Sequence, residues 1–237
     1  MCPRDNRQPI TSTPLITNNP IQIDDDTRPN YLVFFGTGQY VTNDDKESEN
    51  TQTFYGIWDA GISSAGLNQS NLTARTINAL DANGNRTIAS AIVNYSVSDG
   101  LYGWYFTSLP VSKERVVLNP LLFGNTLLFQ TLIPVSGACN ATAGSGFIMA
   151  VDPLTGGNPT IDVLGNSDGV NVAGIRVSSV IVGSSITKTD DDNKLNIKTA
   201  DGEITERSIS GSVVDPSNIG PGGFFKEKGR KSWTILQ

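Results

Sequence analysis

The sequence contains no histidine. That removes Ser-His-Asp and Cys-His nucleophile systems, imidazole metal ligation and imidazole acid–base chemistry together, so an enzyme built from this chain would have to work with carboxylates, lysine or a bound cofactor. Cysteine is almost as scarce. Cys2 and Cys139 stand far apart with no CxxC pattern, which argues against zinc and thioredoxin-like chemistry. They are either a disulfide, in an oxidising compartment, or two free thiols. No apolar run reaches the roughly 18 residues of a membrane span, so no transmembrane helix is expected. Residues 1–10 lack the apolar core of a signal peptide, so for an exported protein the export signal is expected elsewhere than on this chain. Positive charge is outnumbered: 17 Lys and Arg stand against 23 Asp and Glu, for a net charge of −6. That sign is wrong for nucleic acid and for an anionic membrane surface.

Long amphipathic segments of 3.6-residue period are also few, while glycine is abundant at 24 residues, and the balance favours β-structure. With 38% hydrophobic and 17% charged residues, the chain carries enough apolar surface for a core. Its 237 residues are read as one domain, with 1–20 a lead-in of little order in which 14–17 is able to pair as an outer strand.

The clearest stretch is 114–157. Short extended runs at 115–118 and 121–123 are broken at Pro120, and Gly124-Asn125 signals a tight turn. Residues 126–133 are too β-branched and aromatic for a helix and are expected to end at Pro134. Residues 147–151 form a third apolar run, closed by the turn sequence Asp152-Pro153-Leu154-Thr155-Gly156. Strand, turn, buried strand, loop, strand and turn then follow one another over roughly the length of one propeller blade.

Elsewhere, 31–35, 54–58, 72–77, 87–95 and 103–109 read as strands. Gly36-Thr37-Gly38 reads as a crowded strand end, since no helix pattern follows to make it a phosphate loop. The charge run 43–50 reads as a solvated hairpin tip, and 62–71 as a loose loop or short helix. Residues 170–187 form a β-branched double strand bent at Gly183, and strands 194–199 and 204–209 flank the turn at Asp201-Gly202. Asp81-x-Asn83-x-Asn85 opens like a calcium loop but has no closing Glu, so a plain hairpin turn is the reading. Asp162, Asn166 and Asp168 offer oxygen ligands without the usual alternate spacing. They are either an acidic turn or a degenerate, weak calcium site, and the run Asp190–Asp192 is a second such place. Phe34, Tyr55, Trp58, Trp104, Phe106, Leu128, Phe147 and Met149 are expected between sheets.

Several segments in order carry a family resemblance: YLVFFGTGQY, TFYGIWD, GWYFTSLP, then ERVV with NPLLFGNTLLFQTLIP and GSGFIMAVDPLTGG, and finally GRKSWTIL. Over residues 9–237 they resemble the C-terminal β-propeller of the PilC/PilY family of type IV pilus biogenesis and tip-adhesin proteins. The Asp-and-Gly turns at 56–61, 149–157 and 196–204 recur as in quinoprotein-like propellers. The expectation is an all-β, partial propeller of antiparallel sheets with about three blades. The resemblance implies that the rest of the propeller belongs to a longer chain. It also implies a non-enzymatic role in pilus assembly, retraction control and adhesion, and a place at the bacterial cell surface, pilus tip, periplasm or outer membrane. Minor pilins, other pilus tip components and host or other surfaces are the implied partners, and calcium is bound in some relatives. No Arg-Gly-Asp motif supports integrin attachment. Two alternatives stay open. One is a quinone-dependent dehydrogenase-like propeller, although adjacent cysteines are absent and only Trp58, Trp104 and Trp233 are available to stack on a cofactor. The other is an independent extracellular binding propeller.

Overall fold

The doubled aromatics of the sequence organise the first sheet. In the computed structural model, which describes residues 7–21, 29–61, 67–89, 91–135, 143–165, 171–188 and 193–209, that sheet contains β1 (Leu15–Asn18), β2 (Tyr31–Gly36), β3 (Phe54–Asp59), β4 (Thr73–Arg75), β5 (Tyr95–Ser96) and β6 (Leu101–Phe106). The spatial order is β1-β2-β3-β6-β4, with β5 beside β6. Side chains alternate across a strand, so each adjacent aromatic pair sends one ring inward and one outward. The register aligns these pairs across strands: Phe34 opposite Gly56 opposite Trp104 forms an inner row, and Phe35 opposite Tyr55 opposite Tyr105 an outer one. Glycine in the middle of the inner row leaves room for the Trp104 indole, since a Cβ on Gly56 would lie 2.5 Å from Trp104 Cε2.

The second sheet is the expected meander of 114–157, extended by one strand. It comprises β7 (Leu121–Phe123), β8 (Thr126–Gln130), β9 (Ile133–Pro134), β10 (Gly144–Val151) and β11 (Gly174–Val177), in the order β11-β10-β8-β7 with β9 on β10. The third is the antiparallel trio β12 (Ile181–Lys188), β13 (Asn193–Thr199) and β14 (Ile204–Ser208). A register shift between Ile181 and Gly183 places a bulge where the glycine predicts one.

The middle sheet serves two cores. Leu127 and Phe129 of β8, with Phe147 and Met149 of β10, join Leu32, Phe34, Phe54, Trp58, Trp104 and Phe106 of the first sheet. Leu128, Ile148 and Ala150 point the other way, to Leu195 and Ile197 of the third sheet.

Several expectations need correction. Among the described residues, uniform four-stranded antiparallel sheets are not found: the sheets have six, five and three strands, and β4 runs parallel to β6. Residues 76–100 supply the long crossover a parallel neighbour requires. Residues 87–95 are not one strand; they contribute the bridge Ile77 to Ile88 and the first residue of β5. The run at 115–118 supplies only the bridge Arg115 to Leu132. Pro134 does not end the structure of its segment but lies in β9, a two-residue strand opposite Gly144, at a margin where a missing N–H is tolerated. Within the 1–20 lead-in, Leu15–Asn18 forms an edge strand on β2. The charge run at 43–50 is a solvated tip only in part: Asn43, Asp44, Glu47 and Glu49 are exposed, but Asp45 is not. It forms a 3₁₀ turn, Asn43–Glu47, whose Asp45 is 5% exposed. The Arg115 guanidinium holds this turn by donating to the backbone carbonyls of Gln39, Asp45 and Ser48. Crowding at Gly36 is as expected, because a Cβ there would collide with the Val116 side chain.

Candidate functional site

Phe35 and Tyr55 of the outer aromatic row line a groove. Phe35 and Tyr55 lie nearly parallel with ring centroids 5.2 Å apart, and Tyr55 and Tyr105 do so at 6.0 Å. Tyr55, expected between sheets, is instead half-buried on this outward face because it alternates with the buried Phe54 and Gly56. Beside the row opens a concavity of about 470 Å³ lined by Phe35, Tyr55, Ile57 and Tyr102 together with residues of 67–72 and of the N-terminal segment. Every described residue lining it is neutral.

Amide side chains fix its polar rim. The Tyr55 hydroxyl donates to Gln8 Oε1 at 2.8 Å and accepts from Gln69 Nε2 at 2.8 Å. Burial pushes the Tyr55 hydroxyl above its ordinary pKa, partly offset by the Gln69 hydrogen bond, so it stays a neutral phenol. Asn71 donates to the Gly100 carbonyl and accepts from the Asn68 backbone N–H, at 2.9 and 3.0 Å. The 3₁₀ turn Gln69–Asn71, capped by Asn68, thus holds its amides beside the aromatic row. Sequence reading missed this site, since Gln8 and Gln69 come from polar segments outside the strand of Tyr55, 47 and 14 positions away from it. The signal present was the doubling of aromatics on three successive long strands.

The turns behave as their chemistry dictates. Asp59 Oδ1 accepts the Gly61 N–H, Asp152 Oδ1 those of Leu154 and Thr155, and Asp201 Oδ1 that of Glu203 together with the Thr199 hydroxyl. Asp81 likewise accepts from the N–H groups of Asn83 and Asn85 and from the Asn85 side chain. Those bonds, that of Asn85 foremost, lower its pKa, and the carboxylate closes a hairpin turn as expected.

Of the three candidate calcium ligands, Asp162 is described and Asn166 and Asp168 lie outside the described residues, as does the run Asp190–Asp192. Asp162 Oδ1 is buried and has no hydrogen-bond partner. Its neighbours Val163 and Leu164 are fully buried, and the Leu164 carbonyl accepts the Arg207 Nε–H of β14, which anchors the segment to the third sheet. A buried carboxylate oxygen with a free lone pair fits a hard cation. No group of three acidic or cysteine side chains converges among the described residues. Cys2, Cys139 and Trp233 also lie outside the described residues.

Comparison with known proteins finds relatives of this chain. Residues 5–91 match the family model described as the PilY1 beta-propeller domain. The chain is 31% identical over 180 residues to the type IV pilus biogenesis factor PilY1 of Pseudomonas aeruginosa strain PAK, a match covering 66% of this chain and 15% of that protein. It is 29% identical over 162 residues to a PilY1 homolog of Xylella fastidiosa strain Temecula1, covering 65% of this chain and 10% of that protein. The chain therefore spans a small part of the length of these relatives. The crystal structure of the Pseudomonas aeruginosa PilY1 C-terminal domain superposes with a TM-score of 0.61 at 24% identity, covering 86% of this chain and 45% of that one, and shows the shared fold.

Proposed function

We propose, from the premise that the chain belongs to the PilC/PilY family of type IV pilus biogenesis proteins, that it acts as a non-enzymatic propeller module in pilus assembly, retraction control and adhesion. The observation that carries the reading is the 31% identity sustained over 180 residues to a pilus biogenesis factor. In this reading the three sheets are neighbouring blades of a quinoprotein-like propeller, about three in number, within one domain spanning 1–237. The shared cores on both faces of the middle sheet support that arrangement. Weak calcium ligation at the loop of Asp162, Asn166 and Asp168 belongs to the same proposal, on the strength of the unused Asp162 oxygen.

The packing disfavours a quinone-dependent dehydrogenase. Trp58 is 4% exposed and Trp104 fully buried, and their indole N–H groups are committed to Asn30 and to the Pro153 carbonyl. Neither ring offers a face to a cofactor. The module's place is at the cell surface or pilus tip, with minor pilins as its first partners. Retention of purified minor pilins on the immobilised chain tests this. Specific retention is expected, and its absence with a folded chain would overturn the assembly role.

A further inference from the structure

We propose that the groove beside the Phe35–Tyr55–Tyr105 row binds a neutral saccharide. The inference deepens the adhesion reading above and rests on it. A volume of about 470 Å³ suits a small ligand or the end of a chain. The described lining is neutral, so an anionic ligand meets no cation there and a cationic one no carboxylate.

The mixture of aromatic and aliphatic carbon with amide edges then decides the class. A sugar ring presents C–H faces that pack on aromatic carbon and hydroxyl edges that exchange hydrogen bonds with amides. A purely aliphatic ligand would strip water from the amide rim without replacing it, at about 1–3 kcal/mol per unpaired group. An extended peptide adding a strand needs an open sheet edge. The strands under this groove, β2 and β3, are paired on both sides. The rim is also pre-organised. Gln8 is tied to the Thr51 carbonyl and to Tyr55, Gln69 to Tyr55, and Asn71 to Gly100. Amides held in this way keep further hydrogen-bonding capacity: Gln69 donates to Tyr55 through Nε2, and an amide oxygen has two lone pairs to offer a ligand.

The test is saturation-transfer NMR with the chain and three probes: maltotriose and cellotriose as neutral saccharides, and trigalacturonate as the acidic counterpart. At least one neutral trisaccharide should receive saturation, with trigalacturonate clearly weaker. Gln69→Ala, at an exposed position, should weaken the neutral probe by about tenfold. Phe35→Ser should abolish its signal, with near-UV dichroism confirming an unchanged core. Silence from both neutral probes at millimolar concentration, equal binding of trigalacturonate, or undiminished binding by Gln69→Ala would each overturn the proposal. Minor-pilin retention is read separately, so failure of the saccharide site and failure of the assembly role are distinguishable.

Discussion

The Arg86 guanidinium meets the Glu114 carboxylate in a two-point contact of 2.6 and 2.8 Å, with neither side chain more than 1% exposed. The guanidinium carbon also lies 3.4 Å from the centroid of the Phe147 ring, and the Arg86 backbone bridges to Gly174 of β11. One residue of the crossover is thereby tied to Glu114 by an ion pair and to the middle sheet by a cation–π contact and backbone hydrogen bonds. Glu114→Ala leaves a buried cation without its partner and should destabilise the fold by about 3–5 kcal/mol. The double change Arg86→Met with Glu114→Leu should recover most of that loss. Urea denaturation of the three proteins measures both effects, and a double variant no better than Glu114→Ala would refute the account.

Trp104 is held between two glycines. A Cβ on Gly156 would sit 2.5 Å from its Cε3, as one on Gly56 would from Cε2. Gly156 also has φ 63°, so an alanine there is strained by its backbone as well as by the clash. Gly156→Ala should cost about 2 kcal/mol or more, and Trp104→Ala about 3–5 kcal/mol. Thermal melts read both changes. An unchanged midpoint in either would show that the ring is not the keystone of the first core.

Stability should also depend on acid through Asp45. Burial raises its pKa, but the Gln39 side chain and the Thr42 and Val41 N–H groups outweigh burial and hold it at about 2, below its ordinary value of 3.8. The folded state binds this proton less tightly than the unfolded chain. The stabilisation is therefore present above about pH 4 and is lost as pH falls toward 2, with a size of about 2 kcal/mol. In Asp45→Asn that contribution to the pH dependence should vanish. The difference in unfolding free energy between wild type and variant should hold from pH 6 to about pH 4 and shrink from there to pH 2.5; a constant difference throughout would count against the carboxylate.

Calorimetry with calcium should give a dissociation constant no tighter than about 10⁻⁴ M, the range of poorly closed extracellular sites. Asp162→Ala should remove the binding. Micromolar affinity, or binding indifferent to that substitution, would show that the loop is misread.

Much of the fold was legible because the signals were local. Gly124-Asn125 and Asp201-Gly202 specify tight turns, Gly183 a bulge, and the β-branched and aromatic run at 126–133 a strand, which is buried over Thr126–Gln130. The misreadings were non-local. Nothing near residues 43–50 announces that Arg115, some seventy positions away by sequence separation in its hydrogen bond to Asp45, enters the turn and converts a charged tip into a partly buried one. The parallel pairing of β4 likewise depends on where a long crossover returns. The groove combines both kinds of information: the paired aromatics were visible as residues, but their sorting into an inner and an outer row followed only from the register of β2, β3 and β6.

The two-faced strand β8 also limits how this sequence is able to vary in length. A single inserted residue between Thr126 and Gln130 would turn Leu128 toward the first sheet and Phe129 toward the third, exchanging the contents of two cores that share no volume to spare. An insertion at Asn83, in a turn closed by Asp81 and exposed to solvent, displaces no packed side chain. Relatives that differ in length should therefore differ at that hairpin and keep β8 free of gaps.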